Sequence, residues 1–431
     1  MTAKPLRFPD GFLWGTATSA YQVEGNNRNN QWWAWEQEGG HIRDGSVCGI
    51  ACDHYHRFDE DFALMESLGF NAHRFSIEWS RIQPEEERWD EKEVEHYRRV
   101  VESVRGHGMV PLVTLYHFTD PLWFDARGGW TRPDAPDYLA RYAGYMARAL
   151  GDAVPFWLTI NEPSVVPAAG FLMGEFPPQK RDLPLAMTVA RNFIIALGKM
   201  HHAIKENASH NPAVGPVINM TYVEPAGDSD ADRRAADLLD AYANGVWFQA
   251  FTDGVIGPPL GGGEPVEGLK GAWDFVGVNY YSRTVVRAGG PPIGLEVVPP
   301  GPEAETSTMG WEVSPEGFYR CLKRAGSYGL PVYITENGIG TNDDQQRCRY
   351  IVRHLAAAHR ALVEGVDIRS YLHWCFQDNF EWTWGYSQRF GIVERPVPSL
   401  ERVLKQSGRL LSQIARANAV PAALVDRYLG G

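Results

Sequence analysis

The chain has 431 residues, with 53 acidic and 41 basic side chains for a net charge of −12, 44% hydrophobic and 22% charged residues, which excludes disorder and places it among ordinary globular enzymes. The acidic excess argues against a nucleic-acid or anionic-membrane partner, because no surplus of Lys and Arg is present to neutralise phosphates. The five cysteines lack a C-x-x-C pair and suggest neither a disulfide framework nor a zinc site; no apolar run approaches the ~18 residues that span a bilayer, the first ten residues lack a signal-peptide apolar stretch, and a cytoplasmic location is expected.

Short apolar segments alternate with longer amphipathic ones, the pattern of βα units around a parallel sheet. In chain order the expected strands cover residues 12 to 19, 72 to 79, 110 to 118, 155 to 162, 213 to 219, 274 to 281, 331 to 336 and 368 to 376. Helices are expected at 57 to 68, 91 to 106, 134 to 150, 184 to 206, 231 to 250, 315 to 327, 344 to 363 and 399 to 416. In the first of them Phe58, Phe62, Met65 and Leu68 recur at spacings of three and four, and Gly69 supplies the stop. The Pro/Gly-rich stretch from Ala288 to Pro302 reads as a βα loop. Eight strands each followed by a helix predict an α/β fold, a single (β/α)8 TIM barrel spanning residues 1–431 as one domain.

In such barrels the chemistry sits where the strands end. The polar residues there are Gln22 and Glu24 past the first strand, Arg74 and Glu78 on the second, His117 on the third, and Asn161 and Glu162 on the fourth. Asn279 and Tyr281 close the sixth, Glu336 and Asn337 the seventh, and Trp374, Asp378, Glu381 and Trp382 follow on the eighth. Two glutamates on opposite sides of a barrel mouth suit glycosidic cleavage, one as acid and the other as nucleophile or base toward water. A single Glu is more often an ion pair or a loop cap, but two flanked by Asn at strand ends reverse that balance.

Other residues carry bland readings beside functional ones. His117 reads either as a satisfied core histidine or, at the barrel mouth, as a sugar contact. Trp33 is a candidate for a leaving-group subsite or for core packing. His54 and His56 lack a third ligand at usable spacing, so a metal site is not expected, and His201-His202 on a helix is expected at the surface.

The segments Thr159-Ile160-Asn161-Glu162-Pro163 and Ile334-Thr335-Glu336-Asn337-Gly338 resemble the acid/base and nucleophile signatures of family 1 glycoside hydrolases, the β-glucosidase family. The run from Phe12 to Gly25, the segments Asp53-His54-Tyr55-His56 and Arg74-Phe75-Ser76, and Asp378-Asn379-Phe380-Glu381-Trp382 extend the resemblance over residues 8 to about 393. It implies that Glu162 is the general acid/base and Glu336 the nucleophile of a retaining β-glycosidase. It further implies that Gln22, His117, Asn161, Glu381 and Trp382 hydrogen-bond the non-reducing sugar, that Trp374 stacks beneath it, and that Arg74, Asn279 and Tyr281 steer the nucleophile.

The substrate implied is a small-molecule or oligosaccharide β-glycoside, with glucose released from β-glucosides and cello-oligosaccharides and with galactoside and fucoside side activity. No cofactor and no metal are implied, and the sequence carries no signal of oligomeric state. The alternatives are a β-galactosidase or β-fucosidase, and a catalytically silent sugar-binding barrel, which would be expected to have lost one of the glutamates. Phe118 stands where the family often has Trp, removing an indole donor and predicting looser discrimination at the 3-position. The segment after Gly391-Ile392-Val393 is shorter than usual and touches the expected outer subsites. Glu381, whose carboxylate would repel a phosphate, predicts unphosphorylated sugars.

Overall fold

The computed structural model describes residues 3–291 and 293–430. Among them, eight parallel strands close into one barrel: β1 (Leu13–Ala17), β2 (Ala72–Ser76), β3 (Val110–Tyr116), β4 (Phe156–Asn161), β5 (Ala213–Asn219), β6 (Val276–Tyr280), β7 (Val332–Asn337) and β8 (Ile368–Trp374). Each strand pairs with its sequence neighbours, and β8 closes the ring on β1. The expected (β/α)8 barrel is therefore the observed one. Every residue of β2, β6 and β7 is buried, as parallel strands covered on both faces require.

The packing separates into two layers. Ala17, Ala72, Leu112, Leu158, Val217 and Leu372, one from each of six strands, form an apolar cluster that fills the barrel interior. A larger cluster lies between the barrel and its helices. This floor of interior side chains forces the polar residues of the barrel toward the strand ends, where the mouth is open.

The helix between β4 and β5, Leu183–Asn207, departs from expectation because it contains an 18-residue window of mean hydropathy 1.2, enough by length and composition to cross a bilayer. Its Val189, Phe193, Leu197 and Met200 are instead buried in the core, and the helix packs along Ala135–Leu150. His201, expected at the surface, is buried on the same helix, whereas His202 is exposed.

Three other expectations are corrected. The helix expected over 231 to 250 runs as Asp230–Asp240, a π-helical turn at Ala241–Gly245 and Val246–Asp253. The last barrel helix starts at Gln406 rather than 399, because Val403–Leu404 pairs antiparallel with Val393–Glu394. The stretch from Ala288 to Pro302 is no simple loop: Arg283–Ala288 and Leu295–Val298 form an antiparallel hairpin, joined on its other edge by Tyr222–Pro225. Its alternation was masked by the flanking Pro and Gly. Pro292 of that stretch lies outside the described residues.

Candidate active site

Local backbone irregularities occur where the candidate side chains stand. Strands β4 and β7 each carry one residue more than a neighbouring strand near their C-terminal ends, so that Asn161 pairs with Val217 and Glu336 with Asn279 across bulges. A bulge re-aims the side chains that follow it. Glu162, Phe118 and Trp382 all have left-handed backbones, with φ of 48°, 72° and 50°, a conformation that costs non-glycine residues of order 1–3 kcal/mol each and clusters at functional sites. Gly338 follows Glu336-Asn337 because the seventh strand end passes against the eighth: a Cβ at Gly338 would lie 1.9 Å from the Trp374 carbonyl oxygen.

These elements surround a chamber of about 210 Å³ at the barrel mouth. Nine of the residues singled out from the sequence line it: His117, Phe118, Asn161, Glu162, Tyr281, Glu336, Trp374, Glu381 and Trp382. Arg74, Asn279 and Gln22 stand one layer behind. Arg74, fully buried, donates from Nη1 to Glu336 Oε1 at 2.5 Å, from Nη2 to Asn161 Oδ1 at 2.6 Å and from Nε to Thr114 at 3.0 Å. Tyr281 donates its hydroxyl to the other oxygen of Glu336 at 2.5 Å. Both oxygens of Glu336 are thus held by charged or phenolic donors.

Glu162 is held more lightly, accepting from the Asn279 amide at 2.8 Å. Thr335, which the sequence reading passed over, orients that amide by donating to Asn279 Oδ1 at 2.8 Å. Burial, and then the like charge of Glu336, push the Glu162 carboxyl up to about 8. Burial, not the opposing glutamate alone, is therefore the main reason that it retains a proton. The Glu336 carboxyl is also raised by burial, but the Arg74 charge and hydrogen bonds to its ionised form oppose the rise. Of the pair, Glu162 keeps the proton.

The amide of Asn161 fixes the tautomer of His117. Its oxygen accepts from Arg74 and from Asn279 at 3.1 Å, so its nitrogen must donate to His117 Nε2 at 3.2 Å. Burial and the Arg74 charge hold His117 well below the usual imidazole range, hence neutral, and its Nδ1–H has no partner among the described residues. Its ring lies nearly parallel to those of Trp374 and Trp382, at 5.8 and 6.1 Å between centroids.

Burial and the Glu336 charge also push Glu381 up to about 8, against hydrogen bonds from Trp374 and Gln22. The Gln22 amide donates to Glu381 at 3.3 Å and to the Phe380 carbonyl at 2.9 Å, while its oxygen accepts from Ser19 at 2.6 Å. Gln22 therefore supports Glu381 from behind and does not line the chamber.

Trp33 does not reach this chamber; it borders a separate cavity with Asn27 and Glu36. Glu24 and Glu78 lie elsewhere as well, Glu24 paired with Arg81 at 2.9 Å and Glu78 accepting from Ser80 and Thr119. His54 bonds Asp61 at 2.7 Å, and Asp61 also accepts from Arg402. Chamber residues absent from the sequence reading include Asn219, Phe176 and Trp311. Asn219 is the polar residue ending β5, so the strand-end rule would have found it. Trp311 and Phe176 lie outside the barrel strands and gave no such signal.

Comparison with known proteins decides what kind of chamber this is. The chain matches Glycosyl hydrolase family 1 over residues 4–257 and 262–420. It belongs to that family. The family 1 chain is 34% identical to Beta-glucosidase A of Thermotoga maritima, with 96% of this chain and 99% of that protein covered. It is 33% identical to a Bifunctional beta-D-glucosidase/beta-D-fucosidase of Bifidobacterium breve over 93% of this chain and 96% of the other. The solved beta-glycosidase from Pyrococcus horikoshii superposes with a TM-score of 0.92 at 39% identity, covering 98% of each chain. As a family 1 glycosyl hydrolase, the protein is a glycosidase acting on small glycosides.

Proposed function

We propose that the protein is a retaining β-glucosidase in which Glu336 attacks the anomeric carbon while Glu162 protonates the departing oxygen. The observation that carries this reading is the unequal holding of the two carboxyls. Glu336 has each oxygen fixed at 2.5 Å by a different donor, whereas Glu162 meets one amide and is raised to about 8. One is built to present an oriented lone pair and the other to keep a proton at neutral pH.

In the first displacement the Glu336 oxygen bonds to C1 as the C1–O bond to the leaving group breaks, and the Glu162 proton goes to the departing oxygen. Esterification removes the Glu336 charge, which lowers the Glu162 pKa and frees it to take a proton from water. That water attacks C1, the sugar leaves with its β configuration, and Glu336 is regenerated. Arg74 and Tyr281 stabilise the carboxylate at both ends of this cycle.

Sugar recognition falls to His117 through Nδ1–H, to Asn161, and to Glu381 and Trp382, with Trp374 as the stacking face. Neither Lys nor Arg lines the chamber among the described residues, which favours an unphosphorylated sugar. The Bifidobacterium relative supports a second reading in which fucosides share the site. The kcat/KM values for p-nitrophenyl β-glucoside, β-galactoside and β-fucoside test the assignment: the highest value is expected for the glucoside, and a clear preference for either competitor refutes it.

A further inference from the structure

A second cavity, of about 320 Å³, lies beside the helix Gln31–Gln37, and none of its described lining residues borders the catalytic chamber. The helix separates the two spaces. Gln31 and Trp32 donate to the Phe118 carbonyl at the chamber wall, at 2.9 and 3.1 Å, while Trp33, Glu36 and Gln37 line the cavity. Asn30 caps the helix by accepting from the Trp33 N–H at 2.8 Å, which fixes the turn that carries this indole. Another wall consists of two loops pinned together: the Asn26 N–H donates to the Gly49 carbonyl at 2.6 Å, and a Cβ at Gly25 would lie 2.1 Å from the Ile50 carbonyl oxygen. The cavity is therefore preformed, as small-molecule sites usually are.

Its polar side chains keep hydrogen-bonding capacity. Asn27 is 5% exposed; its amide oxygen accepts from Ser80 at 3.2 Å, and its amide nitrogen has no partner among the described residues. A buried amide without a partner is costly, and an incoming acceptor relieves that cost. Glu36 is 3% exposed and accepts from the Cys48 N–H at 3.0 Å and the Gln37 amide at 3.3 Å, which occupies about two of the four acceptor positions of a carboxylate. The half-buried Trp33 supplies an aromatic wall, and the exposed Arg28 stands at the rim.

A carboxyl and a guanidinium at one cavity oppose each other's preference for ions: Glu36 repels an anion and Arg28 a cation. Donors and acceptors set against an aromatic wall suit instead a neutral molecule with several hydroxyls and one apolar face, which is the chemistry of a pyranose ring. The volume falls at the small end of the roughly 300–1,000 Å³ range of ligand pockets, the size for one ring rather than a chain. Glu36 is the one carboxyl among the described lining residues, so the pair needed for glycosidic cleavage is missing. We propose that this cavity is a non-catalytic binding site for a single pyranose, with Trp33 as its stacking face and Asn27, Arg28 and Glu36 as its hydrogen-bonding groups. The inference goes beyond the β-glucosidase reading and does not depend on it.

The test is an NMR titration of the whole protein, labelled with nitrogen-15 in its tryptophan indoles, with D-glucose up to about 100 mM, a range suited to the millimolar affinity of a single ring. The Trp33 indole signal is assigned by its absence in Trp33→Phe, and the signals of Trp374 and Trp382 report the chamber. The Trp33 signal is expected to shift saturably, with a midpoint different from that of Trp382. Arg28→Ala, at an exposed position, and Glu36→Gln, which keeps the side-chain shape, are each expected to weaken this binding about tenfold, as the loss of a hydrogen bond to a charged group implies.

A Trp33 signal unmoved by glucose, a shift that follows the chamber's midpoint in parent and variants alike, or a midpoint unchanged in both Arg28→Ala and Glu36→Gln overturns the inference. So does tighter binding of sodium phosphate or tetramethylammonium chloride at Trp33, since either salt would mark an ion site. If Trp33 shifts as expected while Trp374 and Trp382 stay still, the sugar reading of the chamber fails and the inference stands.

Discussion

Replacing Tyr281 by Phe removes one oxygen and with it a hydrogen bond of 2.5 Å to Glu336 Oε2. The ring stays, so the packing against Trp311 and Phe390 is retained and the perturbation is electrostatic. A hydrogen bond to a charged group contributes about 1.5–3 kcal/mol, which corresponds to about a 10- to 150-fold fall in kcat/KM if the bond matters in the attacking state. The same bond favours the ionised form of Glu336, so its loss must raise that carboxyl further. The acid limb of the kcat/KM profile is therefore expected to move to higher pH. The assay is kcat/KM for p-nitrophenyl β-glucoside from pH 4 to 9 in both proteins, with circular dichroism to confirm folding. A variant within twofold of the parent, with an unmoved acid limb, would refute the idea that Tyr281 holds the nucleophile.

Glu162→Ala is expected to slow cellobiose hydrolysis far more than glycosylation by a substrate with an activated leaving group, measured as kcat/KM for each. In the parent, activity should fall as pH rises through about 8, where Glu162 loses its proton, and the variant's activated substrate should lack that limb. Glu381→Ser is expected to cost about 2–5 kcal/mol in kcat/KM on glucosides, because the carboxyl's hydrogen bonds to sugar hydroxyls are lost in a buried site, while Gln22 keeps its bonds to Ser19 and the Phe380 carbonyl. Away from the site, Asp61 is fully buried, and although burial raises its carboxyl, hydrogen bonds from His54 and Arg402 hold it below the usual range. Asp61→Asn is expected to destabilise by about 3–5 kcal/mol in urea unfolding, as for a broken buried pair. In the parent this contribution is present above the ordinary Asp pKa of about 3.9 and lost as pH falls through the lower folded value.

The parts of this account legible in the sequence are those that follow from periodicity. The eight strands announce themselves as short apolar runs, and the rule that function gathers at their C-terminal ends brings out His117, Asn161, Glu162, Tyr281, Glu336, Trp374, Glu381 and Trp382; the chamber residues Asn219, Phe176 and Trp311 were not singled out. Register is not legible in the same way. The bulges that pair Asn161 with Val217 and Glu336 with Asn279 come from backbone geometry that the side chains do not encode locally.

The hairpin of Leu295–Val298 was missed because its strand is four residues long and framed by Gly294 and Pro299, which read as loop. For Trp33 the sequence leaves a subsite and a core-packing reading side by side, because the direction in which a helical side chain points depends on tertiary packing; it packs partly buried against the core and borders another cavity. Gln22 was legible as a strand-end amide. Its place behind Glu381 was not, since that depends on how the loop after β8 folds back across the first helix turn.

The central claim is that Glu336 becomes covalently glycosylated, and trapping that intermediate tests it most directly. A 2-deoxy-2-fluoro-β-glucoside with an activated leaving group slows the second displacement by destabilising its oxocarbenium-like transition state. The account predicts that the intact protein gains the mass of one fluoroglucosyl group and that the label maps to the peptide containing Val332–Asn337, on Glu336. A label on any other residue, or rapid turnover with inversion and no adduct, would contradict it.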